Sequence, residues 1–142
     1  MQFIDKVKLK LKAERLGAEL ELAANIQRGM LPQKSEFMKS TDIFSISASM
    51  VPAKEVGGDF YDYFMIDDRR LCFLIADVSD KGIGAAFFMS IAKTLIKSRA
   101  GVGGNASEII EYVDRMIEEK NPEGMFVTAW FAIIDLATGH VN

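Results

Sequence analysis

The sequence predicts an α+β domain preceded by a long N-terminal helix. Three observations predict it. Residues 3–30 carry a heptad-spaced apolar stripe, and residues 59–77 read as strand, short turn, strand. Two helical segments, about 83–100 and 106–120, then lead into a further strand at 125–135. At 142 residues the chain is one domain's worth, long enough to bury a core.

In the first helix Leu9, Ala13, Leu16, Leu20, Ala23, Gln27 and Met30 recur at alternating spacings of four and three, a seam over about three heptads. Ala18, Leu22 and Ile26 form a second stripe beside it. One stripe can pack on the helix's own domain and the other on a partner helix. A single amphipathic helix lying on the core is the plainer alternative. Pro32 ends the helix near Leu31. Residues 33–42 are polar connection, and residues 43–50 alternate as a strand. Asp67-Asp68-Arg69 is a turn joining strands near 59–66 and 70–77. Residues 71–76 are apolar without interruption, so that strand is predicted to be central and covered on both faces. Gly101-Val102-Gly103-Gly104-Asn105 separates the two later helices, with Ser107 and Glu108 as capping residues for the second. Ala137-Thr138-Gly139 turns into a strand that His140-Val141-Asn142 only begins. An unpaired strand is a poor end for a domain. The expected organisation is therefore a linker helix at 1–31 and the N-terminal portion of a longer domain at 32–142.

Composition narrows the function classes. Hydrophobic content of 49% and charged content of 26% are those of a globular protein. No apolar run approaches the roughly 20 residues that cross a bilayer, and lysines interrupt the N-terminus where a signal peptide would be apolar. The single cysteine, Cys72, excludes an internal disulfide, and a cytoplasmic location is expected. Residues 1–15 carry a net charge of +3 within a chain of net −3, which leaves about −6 elsewhere. An acidic body is not a nucleic-acid surface. Lone His140 is assigned no role, and Cys72 reads as a small buried apolar side chain.

Two acidic, glycine-rich segments carry the chemistry: Val56-Gly57-Gly58-Asp59-Phe60-Tyr61-Asp62 and Asp77-Val78-Ser79-Asp80-Lys81-Gly82-Ile83-Gly84. A hairpin between them puts Asp59 near the start of one strand and Asp77 at the end of the next, facing each other at one edge of a sheet. Asp77 then precedes a glycine-bearing loop into a helix. With one His and one Cys in the whole chain, oxygen donors dominate, which selects Mg²⁺ or Mn²⁺ and argues against zinc. Singly, each motif has a plainer reading. Gly-Gly-Asp can be only a turn, and residues 81–86 can be a phosphate cradle or a tightly packed helix start. They form no Walker motif, since no Gly-Lys-Ser/Thr follows.

Taken in order, Ala24-x-Ile26-Gln27-x-x-Met30-Leu31-Pro32, Val51-Pro52-Ala53-x-x-Val56-Gly57-Gly58-Asp59-Phe60-Tyr61-Asp62, Ala76-Asp77-Val78-Ser79-Asp80-Lys81-Gly82-x-x-Ala85-Ala86-x-x-Met89 and Phe126-Val127-Thr128 resemble the bacterial PPM (PP2C-like) phosphatases of the SpoIIE and RsbU type. The resemblance implies a partial PP2C-like α-β-β-α sandwich, antiparallel sheets flanked by helices, with an N-terminal helix. It implies hydrolysis of phosphoserine or phosphothreonine dependent on two Mn²⁺ or Mg²⁺ ions, with metal-activated water and no protein nucleophile. By position it implies that Asp77 bridges the metals, Asp59 binds one of them and the Val78 backbone carbonyl is a further ligand, with Asp80 beside them and Asp62 and Glu55 either supporting these ligands or serving only the fold. Asp80 stands where the family most often has Gly, and is expected to tune cation affinity or pair with Lys81. Gly101, Gly103 and Gly104 fall at the junction of helices that the resemblance suggests act as a switch of metal occupancy.

Its implied partners are a phosphorylated anti-sigma-factor antagonist of STAS type and an upstream sensor domain acting through the N-terminal helix. A homodimer through that helix or an open sheet edge is the further expectation. The family continues with a Gly-His-Asn-Pro-like segment and two more metal-binding aspartates that follow residue 142. The 142-residue chain alone is therefore expected to be inactive or nearly so. The competing reading is a non-catalytic regulatory or dimerisation module.

Overall fold

The structure, a computed structural model, describes residues 2–33, 44–52, 54–119 and 121–142. The elements are α1 (Gln2–Met30), β1 (Phe60–Met65), β2 (Arg70–Val78), α2 (Ile83–Val102), α3 (Ala106–Glu118) and β3 (Val127–Asp135). The strands form one antiparallel sheet in the order β1-β2-β3. Phe60 pairs with Ala76 across β1 and β2, and Val78 pairs with Val127 across β2 and β3. The α+β class expected from the sequence is the one observed.

Period-two alternation sends one set of side chains from each strand to the helices. Phe60, Phe64, Cys72, Leu74, Ala76, Val78 and Ile133 form the sheet side of the core. Ala85, Met89, Ala92, Ile96 and Ala100 of α2, with Ile109 and Val113 of α3, close over them. Small residues on α2 let the helix lie close to the sheet. Cys72 is fully buried, and burial followed by the nearby Asp62 charge pushes its thiol up to about 12, so it is an inert core residue.

A charged pair also sits under this face. Lys93 of α2 reaches across to Asp62 of β1, and both are almost wholly buried. The other Asp62 oxygen accepts from the Tyr63 backbone N–H at 2.9 Å.

Four expectations need correction. β2 is central but its second face is covered only toward Leu71, which is buried; Ile75 is 63% exposed and Asp77 is exposed, because the helices lie on the other side. An apolar run reports the polarity of both faces, not the presence of a covering layer. Residues 44–50 alternate between half-buried and exposed as a strand would, yet belong to no strand; residue 43 of that segment lies outside the described residues. The cap of α3 is Asn105, not Ser107. The Asn105 side chain accepts from the Glu108 N–H at 3.0 Å, and the Glu108 carboxylate accepts from the Asn105 N–H at 3.0 Å. Gly101 belongs to the last turn of α2, and the actual break is at Gly103, whose φ of 106° with ψ of −175° is open only to glycine.

After β3 the chain turns as predicted. Asp135 N–H donates to the His140 carbonyl at 2.9 Å, and Ile133 and Asn142 exchange both backbone bonds at 2.9 Å, so the next strand is begun alongside β3. At the other end, residues 3–19 of α1 are exposed throughout. The later turns dock on α2 through Ala24, Gln27 and Leu31, all buried. Of the heptad stripe, Gln27 is buried and Ala23 and Met30 are half-buried where the helix meets the domain, while Leu22 and Ile26 of the second stripe face outward at about 60% exposure.

Candidate metal centre

Phe60 opposite Ala76 fixes the register, and one further residue in each direction sets Asp59 across from Asp77. Both side chains belong to the face that the helices leave open. They are in hydrogen-bonding contact with each other. Loss of solvent first, then that bond and the Asp77 charge, raise the Asp59 carboxyl above its ordinary value.

The loops around the pair are tightly fixed. A Cβ added at Gly58 would lie 2.8 Å from Val78 Cβ, 2.9 Å from the Val78 carbonyl oxygen and 3.2 Å from Ala85 Cβ. Only glycine lets the backbone before Asp59 approach the Val78 carbonyl so closely. The Ser79 N–H donates to the Phe126 carbonyl at 2.8 Å, and the Phe126 N–H donates to Ser79 Oγ at 2.9 Å. The Thr128 hydroxyl donates to the Asp77 carbonyl at 3.3 Å. Gln27 of α1 holds the opposite loop: its Nε2 donates to the Gly57 carbonyl at 2.6 Å and its Oε1 accepts from the Gly57 N–H at 3.1 Å.

A cleft of about 480 Å³ opens at the pair, lined by Lys54, Gly57, Gly58, Asp59 and the 77–82 loop. A second hollow of about 630 Å³ continues over the open sheet face past Tyr61, Ile75 and Trp130. Trp130 packs against Phe73 there at 5.2 Å between ring centres, while Phe131 turns to the helix side.

Of the residues singled out by sequence, Asp59, Asp77, Val78 and Asp80 come together at this cleft. Asp62 does not: it points to the helix side and is neutralised by Lys93. Glu55 is exposed and does not line the cleft. Asp80 adopts φ of 75°, the left-handed conformation that glycine takes up most readily. Its carboxylate accepts from the Lys81 backbone N–H at 2.8 Å, rather than pairing with the Lys81 ammonium. Gly103 and Gly104 sit at the far end of α2, away from the cleft.

Sequence reasoning assigned no role to Gln27 or Lys93 at the site or beneath it. The signal was available, since each is a polar residue on an apolar helical stripe. Among the described residues no group of three or more His, Cys, Asp or Glu side chains gathers. Two facing carboxylates and a backbone carbonyl, all hard oxygen donors, fit a cation of the Mg²⁺ or Mn²⁺ type, held by part of a full ligand set.

Helices stacked on one face of an antiparallel sheet are an arrangement this chain shares with solved PP2C domains. The SiaA-PP2C domain of Pseudomonas aeruginosa matches 88% of this chain and 51% of its own, with a TM-score of 0.72 at 21% identity. The PP2C phosphatase domain of SpoIIE from Bacillus subtilis, solved with a fragment of its regulatory domain, matches 61% of this chain and 26% of its own, with a TM-score of 0.54 at 21% identity. At these identities the likeness is one of fold. The chain belongs to the stage II sporulation protein E (SpoIIE) family, whose profile matches residues 67–142, more than half of its length. Phosphoserine phosphatase RsbU of Bacillus subtilis is 35% identical over 119 residues, covering 84% of this chain and 34% of the relative. Protein IcfG of Synechocystis is 29% identical over 151 residues, covering 87% of this chain and 23% of the relative. The chain thus spans about a third or less of the length of these relatives. Among the described residues no helix is long and apolar enough to cross a membrane.

Proposed function

We propose that residues 32–142 are the N-terminal portion of a metal-dependent protein serine/threonine phosphatase domain, with residues 1–31 as its linker helix. The observation that carries this reading is the register that sets Asp59 across from Asp77 at the ends of neighbouring strands, both lining one cleft. Family membership and a relative named phosphoserine phosphatase support it.

Asp77, Asp59 and the Val78 carbonyl would hold Mn²⁺ or Mg²⁺. Such an ion supplies Lewis-acid polarisation of a phosphoryl oxygen and activation of water at neutral pH. The chain's own contribution is to orient. The sheet register aims both carboxylates into one cleft, the Thr128 and Ser79 bonds fix the 77–79 backbone, and Lys54 and Lys81 offer positive charge to a phosphate ester. The phosphorylated partner proposed is a small anti-sigma-factor antagonist of STAS type, with a sensor domain upstream of α1.

The test is Mn²⁺ titration of the chain followed by NMR line broadening. Broadening centred on Asp59, Asp77 and Val78, abolished in Asp77→Asn, is expected. Broadening elsewhere, or none at millimolar Mn²⁺, would count against the site. With p-nitrophenyl phosphate and Mn²⁺ the 142-residue chain is expected to show little turnover, and robust turnover would refute its inactivity. The exposed first half of α1 favours a second role, dimerisation through that helix. A chain that sediments as a monomer at high concentration would exclude it.

A further inference from the structure

We infer that Gln27 is a positioning residue through which α1 sets the placement of Asp59. The inference rests on the reading of the cleft as a cation site.

Gln27 is 5% exposed, and both ends of its amide are spent on a single residue 30 positions away, the Gly57 N–H and C=O. An amide that matches donor to acceptor and acceptor to donor fixes the orientation of a peptide unit as well as its distance. Gly57 is two residues from Asp59, and the intervening Gly58 has no freedom to absorb a displacement. It is wedged against Val78 and Ala85, where even a methyl group would collide at 2.8 Å. A shift of Gly57 is therefore carried to Asp59 on one side and to the Val78 carbonyl on the other. The Gln27 Nε2 also lies 3.7 Å from Met89 Sδ on α2, so the clamp sits where α1, α2 and the loop meet.

The lever attached to this clamp is unusual. Residues 3–19 of α1 are exposed and touch no other described element closely enough to be buried, so a tilt of α1 meets its first resistance in the turns around Ala24 and Gln27. Gln27 is the polar member of that docked stripe, and the amide that docks the helix is the same one that holds the loop. By linkage, what α1 does to cation affinity the cation must do to the docking of α1, by the same factor.

The experiment uses the full 142-residue chain, with Mn²⁺ as the probe. Affinity is read from NMR line broadening at Asp59 and Asp77, and backbone amide exchange is read at 20–31 and at Gly57. In wild type, Mn²⁺ is expected to slow exchange in 20–31. Gln27→Leu, which keeps the helix and its apolar packing, is expected to weaken Mn²⁺ binding about tenfold, the size typical of a lost supporting hydrogen bond around a metal ligand. It is also expected to abolish the Mn²⁺ effect on α1. Gln27→Glu keeps the acceptor for the Gly57 N–H and is expected to recover part of both. Leu31→Ala is the control, loosening the docking of α1 without touching the amide.

If Gln27→Leu leaves Mn²⁺ affinity unchanged while Gly57 exchanges faster, the clamp is structural only and the inference is overturned. The same holds if Leu31→Ala and Gln27→Leu lose affinity in equal proportion to their lost stability. Wild-type chain that binds no Mn²⁺ at Asp59 and Asp77 overturns the cation reading of the cleft, and the coupling falls with it. That outcome is told apart because it appears before any variant is made.

Discussion

The two faces of one sheet treat their carboxylates in opposite ways. On the covered face Asp62 is buried, and Lys93 brings a compensating charge into the core with it. On the open face Asp59 and Asp77 face each other across the strands, and loss of solvent together with the Asp77 carboxylate raises the Asp59 carboxyl above its ordinary value. Asp62 is three positions along from Asp59, and strand alternation alone sends them to opposite sides. The difference separates two uses of the same residue type. A carboxylate neutralised by the protein itself serves the fold, and one left with a like-charged neighbour is arranged for a charge from outside.

The covered pair can be broken from either side, and this gives the largest expected effect. Lys93→Met strands a buried carboxylate and is expected to cost about 3–5 kcal/mol in denaturant unfolding. Adding Asp62→Asn removes the orphaned charge while keeping an acceptor for the Tyr63 N–H, and should recover most of the loss. If the double variant is no more stable than the single, the charge of Asp62 is not what Lys93 compensates. Next in size is Gly58→Ala, whose methyl group has backbone on one side and Ala85 on the other. An overpacking cost of about 1–3 kcal/mol is expected, with chemical shifts moving at Val78 as well as Asp59. Unchanged stability would mean that the two loops can part without penalty.

This contrast also shows how far the residues could be read without coordinates. The strand pair and the facing of Asp59 and Asp77 were legible because hairpin register follows from turn length, and register fixes faces. Asp62 was left open between supporting the site and serving the fold for want of the same parity argument, since a residue three along the strand cannot share a face with Asp59. The open side of β2 was not legible. Val78, Ala76 and Ile75 are equally apolar in the sequence, and only the arrangement of helices tells which of them is covered. Partners across long loops, Gln27 with Gly57 and Lys93 with Asp62, are set by packing between elements that no local pattern encodes.

A smaller effect is expected at the rim of the open face. Asp80→Gly relieves a left-handed backbone at the cost of one local bond to the Lys81 N–H. The net gain should be about 1 kcal/mol or less in thermal or denaturant unfolding. A clear loss would mean that the Asp80 carboxylate holds the loop by more than that bond.

The pH dependence of stability separates the open pair from an ordinary surface ion pair, and here the expected effects are smallest. Asp59 titrates above its ordinary 3.8 in the folded chain, so folding takes up a proton. Its contribution is fully present below 3.8 and is lost as pH rises through the folded value. The Arg69 hydrogen bond, aided by the Ala137 and Thr138 N–H groups, lowers Asp135 to about 2. Its contribution is present above 3.8 and is lost as pH falls toward 2. Unfolding measured across this range without added metal should therefore show Asp59→Asn gaining on wild type as pH rises from acid to neutral, while Asp135→Asn loses ground over the same interval. Millimolar Mn²⁺ should reverse the first trend, because a cation binds the ionised pair and only wild type presents it. If Asp59→Asn tracks wild type at every pH, the two carboxyls do not repel, and the contrast between the faces of the sheet fails at its open side.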